Sequence, residues 1–450
     1  MVFLIVLMSI LTIGIGLFSV RYLIHGGEWA VFPGSPHVYT GVNISFGTVT
    51  DREGTVLLDN SQGRVYAKDA ILRGAVMHLL GDRYGFISAP ALKPYADELV
   101  GHDLVNGMYS MGVDSGKAQL TISSSVQKAA QEALSGRSGT IGVYNYKTGE
   151  ILCAVTSPTY DPDNMPDVEG DATGRYNGVY LNRFFQTTYV PGSIFKIITA
   201  AAAIETIDDI FDQTFVCNGT MQIGADTITC NNTHGTITFQ KALAKSCNCA
   251  FAEIALQVGR EKLTFYAQNL GVTESMQVDG VETTAGNFDL EGAADSQVAW
   301  AGIGQHTDLV NACQFMRIMG VIAGGGSGAE PYLVSEVRSG LSKAYRAQTE
   351  QTPRLLKAET AEKLAIMMNY NVVTVYGAEK FPSGYICAKS GTAEVGPGTT
   401  PHATFAGFLQ DENYPLAFIV IVENGGSGSA TCAPIAGQVL KACVEAMKTN

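Results

Sequence analysis

The first residues limit this chain most. From Val2 to Val20 it reads VFLIVLMSILTIGIGLFSV, without a charged side chain. As a helix rising ~1.5 Å per residue, the run spans ~28 Å, about one hydrocarbon core. It is longer than a signal-peptide core, and no A-x-A-like cleavage site precedes Arg21. An uninterrupted apolar run at a chain end also fits a buried core helix poorly. A transmembrane anchor is therefore expected over residues 1–24. No Lys or Arg precedes the run and Arg21 follows it, which on flanking charge alone opposes an inside N-terminus. Large domains, however, translocate largely regardless of such charges.

Composition constrains the remainder of the chain. At 450 residues there is room for two or three domains of ~150 residues. With 46% hydrophobic and 16% charged residues it is a folded chain, not a disordered one. A net charge of −13 argues against nucleic acid or anionic lipid heads as partners. There are nine cysteines, so at least one is left without an intrachain partner. Cys217, Cys230, Cys247 and Cys249 fall close together, with His234 between them. Neither a C-x-x-C knuckle nor an H-x-x-x-H pair occurs there, so zinc is set aside and His234 and His306 are read as structural. A Cys217–Cys230 disulfide is favoured for a domain outside the cell. No metal and no cofactor is expected.

Gly26 to Gly116 carries short β-like runs and one helical stretch near Lys68–Leu80, a small, mostly β module assigned to residues 25–116. A larger domain, 117–450, opens on LTISSSVQKAAQEAL. Ser123, Ser124 or Ser125 can cap a helix whose apolar face is Val126, Ala129, Ala130, Ala133 and Leu134. TIGVY-NYKTG-EILCAVTS and HATFAGFL-QDENYP-LAFIVIVE read as β-hairpins, and Pro434–Lys448 as a closing helix. The fold class expected is α+β: an antiparallel sheet flanked by helices and closed by both ends of the domain, with a long helical middle.

Three short motifs stand in order. They are Ser193-Ile194-Phe195-Lys196 after Pro191-Gly192, then Ser246-Cys247-Asn248, then Lys389-Ser390-Gly391-Thr392. The first puts a hydroxyl at the start of a helix and an amine one turn later on the same face. A Ser hydroxyl needs a nearby base to become a nucleophile, and a neutral Lys196 can be one. Lowering its pKa from ~10.4 toward ~7 costs about 4–5 kcal/mol, which burial and a second cation, Lys389, would supply. Short motifs also occur by accident: Ser125/Lys128 matches S-x-x-K and Lys147-Thr148-Gly149 matches K-T-G. The first sits at a helix cap and the second in a hairpin turn, with no S-x-N between them.

S-x-x-K, S-x-N and K-[ST]-G together are the signature of penicillin-recognising serine acyl enzymes. The chain resembles the transpeptidase-domain family of penicillin-binding proteins, of the monofunctional, membrane-anchored class B type, over nearly its whole length. GTVTDREGTVL near Thr48 is similar to the family's G-x-[IV]-x-D-R-x-G-x-x-L start, and GIGQHTDLVNACQFMRIMGVIAGGG to a family segment around the site. The resemblance implies a penicillin-binding/serine β-lactamase-like transpeptidase fold and a Ser193 nucleophile that attacks the D-Ala-D-Ala carbonyl of a peptidoglycan stem peptide. It implies Lys196 as general base, Ser246 as proton relay, and Asn248 as holder of the substrate amide and of Lys196. Lys389 supplies positive potential, Ser390 and Thr392 receive the substrate carboxylate, and Gly391 lies beside the reacting carbonyl. The Ser193 and Thr392 N–H groups would form the oxyanion hole. The partners it implies are stem peptides, β-lactams as inhibitors and a membrane glycosyltransferase, with the catalytic domain on the extracytoplasmic face. Two other readings are a serine β-lactamase, which needs a deacylating base, and a membrane-anchored β-lactam sensor or scaffold.

Overall fold

The computed structural model describes residues 1–32, 39–40, 43–44, 47–60, 63–87, 90–100, 116–339 and 343–448. Val2–Ala30 form one 29-residue helix, whose first 25 residues, Val2–Gly26, are long and apolar enough to cross a membrane, with Arg21 as their one formal charge. Twenty-five residues span ~38 Å, enough to cross a ~30 Å core with some tilt. This helix fits a single-pass membrane anchor. It outruns the expected end at residue 24, with Tyr22 stacked on Phe18 one turn back.

The centre of the fold is a five-stranded antiparallel sheet. Its strands are β1 (Gly139–Asn145), β2 (Ile151–Ser157), β3 (Tyr385–Ala393), β4 (His402–Gln410) and β5 (Leu416–Val422), in the order β3-β4-β5-β1-β2. Two hairpins far apart in sequence meet where β5 pairs with β1, Leu416 opposite Asn145 and Val422 opposite Gly139. The expected sheet, closed by both ends of the domain, is thus present. Helices α1 (Ser124–Leu134), α2 (Lys196–Thr206), α3 (Asn248–Val258), α4 (Ala312–Ala323), α5 (Ala358–Asn371) and α6 (Gly428–Lys448) surround it.

Strand periodicity assigns the two faces. Phe405, Leu409, Phe418 and Val420 join Val126 and Leu134 of α1 and Val439 and Leu440 of α6 in one cluster. The intervening Ala406, Phe408, Ile419 and Ile421 join Phe315, Met316 and Met319 of α4 in another. Each fully buried Phe contributes about 1.5–3 kcal/mol by leaving water. Helix α4 comes close because Gly320 has no side chain; a Cβ there would lie 1.7 Å from the Tyr144 hydroxyl.

A second sheet of six strands is mixed. Its order is Lys343–Arg346, Val334–Ser339, Lys117–Leu120, Thr48–Thr50, Val56–Asp59, Val65–Tyr66. The boundary expected at residue 117 therefore falls inside one sheet, where Thr48–Thr50 pairs in parallel with Lys117–Gln119. Asp51 is the joint between the two parts. Its fully buried carboxylate accepts the Thr55 amide at 2.7 Å within its own turn, and both the amide (3.2 Å) and hydroxyl of Ser124. Helix α1 is thereby capped by Asp51, whereas Ser123, its N-cap residue, makes no side-chain cap. Gln127, not Ala129, completes the buried face of α1, its amide bonding Ala154 and Ala75. Helix α6 starts at Gly428, earlier than the expected Pro434, because its first residue docks on the K-S-G strand. A Cβ at Gly428 would lie 2.2 Å from the Gly391 carbonyl oxygen.

Candidate active site

Pro191-Gly192 turns the chain into a short 3-10 segment, Gly192–Phe195, that leads directly into α2. Gly192 has φ +57°, its amide donates to the Gly304 carbonyl at 2.9 Å, and a Cβ there would meet the Thr392 carbonyl oxygen at 2.6 Å. From the other side, a Cβ on Gly391 would lie 2.1 Å from the Thr404 hydroxyl and 2.9 Å from the Pro191 carbonyl oxygen. These two glycines let the Ser193 turn and strand β3 approach backbone to backbone. That approach sets Ser193 beside Thr392.

Lys196 is the hub. It is the first residue of α2 and fully buried, and its Nζ lies 2.8 Å from the Ser246 carbonyl, 2.7 Å from Asn248 Oδ1, 3.1 Å from Ser193 Oγ and 3.3 Å from Ser246 Oγ. Asn248 Nδ2 donates to the Thr229 carbonyl at 2.8 Å, which fixes its oxygen toward Lys196. A neutral amine has two N–H groups and one lone pair. The two carbonyl oxygens can only accept, so they take both hydrogens and leave the lone pair for the Ser193 hydroxyl. Burial brings the Lys196 pKa down to about 7, against the nearby Cys230, Cys247 and Cys249 thiols, which oppose the shift. Burial is thus the leading cause, and the expected help from Lys389 is not among the causes; the repulsion between the two amines falls on Lys389 instead. Its pKa is held well below the usual lysine range by burial first and by Lys196 second.

Lys389 also connects the last two motifs. From β3 its Nζ reaches Ser246 Oγ at 2.9 Å and the Ser390 carbonyl at 2.7 Å. Ser246 therefore bridges two amines, in a backbone conformation of φ +52° that a non-glycine residue seldom adopts. Strand β3 is the edge of its sheet, and the Ser390 amide points outward, donating to the Tyr376 hydroxyl at 2.9 Å. By strand alternation the Thr392 amide faces the same way, into the cleft beside Ser193. All eight residues singled out in the sequence are brought together here, while both decoys lie elsewhere. Lys128 pairs with Asp69, and Lys147-Thr148-Gly149 forms the turn between β1 and β2.

Tyr376 was not legible in the sequence. It ends a π-helical turn, Val372–Tyr376, that follows α5, and its hydroxyl is 3.0 Å from Ser390 Oγ as well as accepting the Ser390 amide. An open cleft lies in front of these groups. Among the described residues lining it, the one carboxylate is Glu394, exposed beyond Thr392. Behind the Ser246 loop, Cys217, Cys230, His234 and Cys247 converge, each offering a ligand atom. The Cys217–Cys230 disulfide favoured for a domain outside the cell is not formed: all nine cysteines are free.

Comparison with known proteins agrees with this geometry. The sequence model of the penicillin binding protein transpeptidase domain matches residues 139–441. Peptidoglycan D,D-transpeptidase PbpA of Mycolicibacterium smegmatis is 29% identical over 418 residues, covering 86% of this chain and 80% of that protein. The crystal structure of PBPA from Mycobacterium tuberculosis is similar with a TM-score of 0.76 at 25% identity, covering 89% of this chain and 99% of that one. The penicillin G acyl-enzyme complex of penicillin-binding protein A from M. tuberculosis gives a TM-score of 0.75, also at 25% identity, covering 89% of this chain and 99% of that one.

Proposed function

Because the chain belongs to the penicillin-binding protein transpeptidase-domain family, we propose that it is a peptidoglycan D,D-transpeptidase in which Ser193 is the nucleophile and Lys196 its base. The observation that carries the reading is the 3.1 Å contact between Lys196 Nζ and Ser193 Oγ, with the amine's other hydrogen bonds going to fixed acceptors. In this cycle Lys196 takes the Ser193 proton as Oγ adds to the D-Ala-D-Ala carbonyl. The Ser193 and Thr392 amides hold the oxyanion. The proton passes through Ser246 to the leaving amine, the C–N bond breaks, and the terminal D-Ala departs from an ester on Ser193. An amine of a neighbouring stem peptide then attacks that ester, forming the cross-link and returning the proton to Ser193. Lys389 attracts the substrate carboxylate to the Ser390 and Thr392 hydroxyls. A β-lactam undergoes the first half only, because its leaving group stays tethered.

A serine β-lactamase would need a base, usually a carboxylate, to activate water against that ester. Glu394 is exposed at the rim of the cleft and not packed behind Ser193, which supports transpeptidation. The test is acylation of the full-length protein by a labelled penicillin with peptide mass mapping. A stable adduct on Ser193, absent from Ser193→Ala, is expected. Rapid spontaneous release would favour a β-lactamase, and no adduct would defeat both.

Tyr376→Phe gives a smaller effect. It removes the acceptor of the Ser390 amide and the partner of the Ser390 hydroxyl, worth about 1–1.5 kcal/mol. The acylation rate constant should fall roughly 5–15-fold with the thermal midpoint little changed. An unchanged rate would remove Tyr376 from the site.

The same reading places the catalytic domain on the extracytoplasmic face, where stem peptides lie, and divides the chain into anchor, a 25–116 module and a 117–450 transpeptidase domain. It proposes a membrane glycosyltransferase as partner, since strands must be polymerised at the membrane where they are cross-linked.

A further inference from the structure

Behind the Ser246–Asn248 loop, four side chains from separate turns aim at one point. Cys217 ends the strand Thr214–Cys217, Cys230 follows the strand Asp226–Thr229, His234 precedes the strand Gly235–Thr238, and Cys247 caps α3. Their ligand atoms all lie within 4.8 Å of one another. Cys230 Sγ is 3.9 Å from Cys247 Sγ and 3.5 Å from His234 Nδ1. A tetrahedral zinc with Zn–S ~2.3 Å and Zn–N ~2.0–2.1 Å has S···S edges of about 3.8 Å and S···N edges of about 3.6 Å. Two edges of that tetrahedron are already present.

The surroundings point the same way. The Asn248 amide donates to Cys230 Sγ at 3.3 Å and the Ala250 amide to Cys247 Sγ at 3.5 Å. Such N–H···S bonds stabilise thiolate charge and hold metal ligands in place. Three sulfurs and an imidazole suit zinc, and do not suit the hard cations calcium or magnesium. A disulfide between two of the cysteines would account for neither the third sulfur nor the imidazole held 3.5 Å from Cys230 Sγ. The sequence pattern hid this centre because the ligands are spread over four turns, with no short knuckle to mark them.

We propose that Cys217, Cys230, His234 and Cys247 bind one zinc ion, a structural centre that fixes the Ser246–Asn248 loop against the strands of residues 214–238. Cys247 lies between Ser246 and Asn248, the two residues that hold Lys196. Binding there ties the left-handed Ser246 turn to a closed four-ligand site and leaves no coordination position for substrate. Cys247 and its three partners are positioning residues. The zinc itself stands apart from the transpeptidase reading; its effect on acylation rests on that reading.

The test uses the full-length protein purified in detergent. Elemental analysis should find about one zinc per chain, and Co²⁺ exchanged for it should give the absorption of a tetrahedral thiolate site. His234→Gln, at a half-exposed position, and Cys230→Ser should both lose the metal. Chelation should slow acylation by labelled penicillin roughly 10²-fold, the scale of an ångström of misplacement, and added Zn²⁺ should restore it. No zinc after incubation with Zn²⁺, undiminished zinc in both variants, or a disulfide between any two of the four positions would overturn the site. Zinc removed without change in rate would overturn its positioning role. Zinc present in a protein that penicillin never acylates would leave the centre standing and defeat the transpeptidase reading instead.

Discussion

Replacing Lys196 with methionine should lower the acylation rate constant roughly 10³–10⁴-fold, the upper range for a lost general base, while leaving the protein at least as stable. The two effects have one cause. Lys196 is fully buried and its pKa is brought down from 10.5 to about 7, chiefly by desolvation. That depression corresponds to roughly 5 kcal/mol against the charged amine. The sign is fixed by proton counts. Between pH 7 and 10.5 the unfolded chain keeps a proton on this lysine that the native site has released, so stability rises with pH across that window. Below about 7 both states are protonated and the cost is constant and largest. The methionine variant removes the cost, so its stability advantage should be greatest near pH 7 and shrink toward pH 10. Denaturant titrations at the two pH values measure it. A variant less stable at pH 7 and no different at pH 10 would contradict the assigned protonation. In the wild type the acylation rate should fall about tenfold per pH unit below 7, as the base protonates.

The second large effect is expected at Lys389. Lys389→Gln should lower acylation about 10²–10³-fold for substrates that carry a carboxylate, and much less for the same substrates esterified. Lys389 Nζ holds Ser246 Oγ at 2.9 Å and the Ser390 carbonyl at 2.7 Å, so the substitution disturbs both the relay and the strand edge. Most of the loss, however, belongs to the charge. The amine is buried beside Lys196 and held well below its usual pKa. An incoming carboxylate at Ser390 and Thr392 favours the ammonium form, and a charge-assisted contact in a dry site is worth about 1.5–3 kcal/mol. Equal losses for acid and ester substrates would show that Lys389 serves only to hold Ser246.

Much of this site could be read from the amino acids because its motifs are local. Ser193 and Lys196 need one helical turn, and Lys389 to Thr392 need one strand, so spacing alone constrains their chemistry. The order of the three motifs then separated them from Ser125/Lys128 and Lys147-Thr148-Gly149. What was not legible depends on tertiary register. Tyr376 reaches Ser390 from a π-helical turn that periodicity does not reveal. Asp51 caps α1 across the sheet, so a helix cap was expected from Ser123–Ser125 and supplied from 73 residues away. The parallel pairing of Thr48–Thr50 with Lys117–Gln119 likewise crosses the boundary that composition suggested. Cys217, Cys230, His234 and Cys247 meet only once two short hairpins fold over the start of α3. The net charge of −13 also acquires a place. With an anionic wall as the expected surroundings, attraction for a carboxylate must be local, and Lys389 supplies it from inside the cleft.

The most direct measurement is cross-link formation by the full-length protein in micelles, given lipid-linked glycan strands bearing pentapeptides and analysed by mass spectrometry. Dimeric stem peptides should appear together with one released D-Ala per cross-link, both abolished by penicillin and by Ser193→Ala. A protein that penicillin acylates on Ser193 but that releases no D-Ala and forms no dimers would contradict the proposed function and mark the chain as a β-lactam sensor.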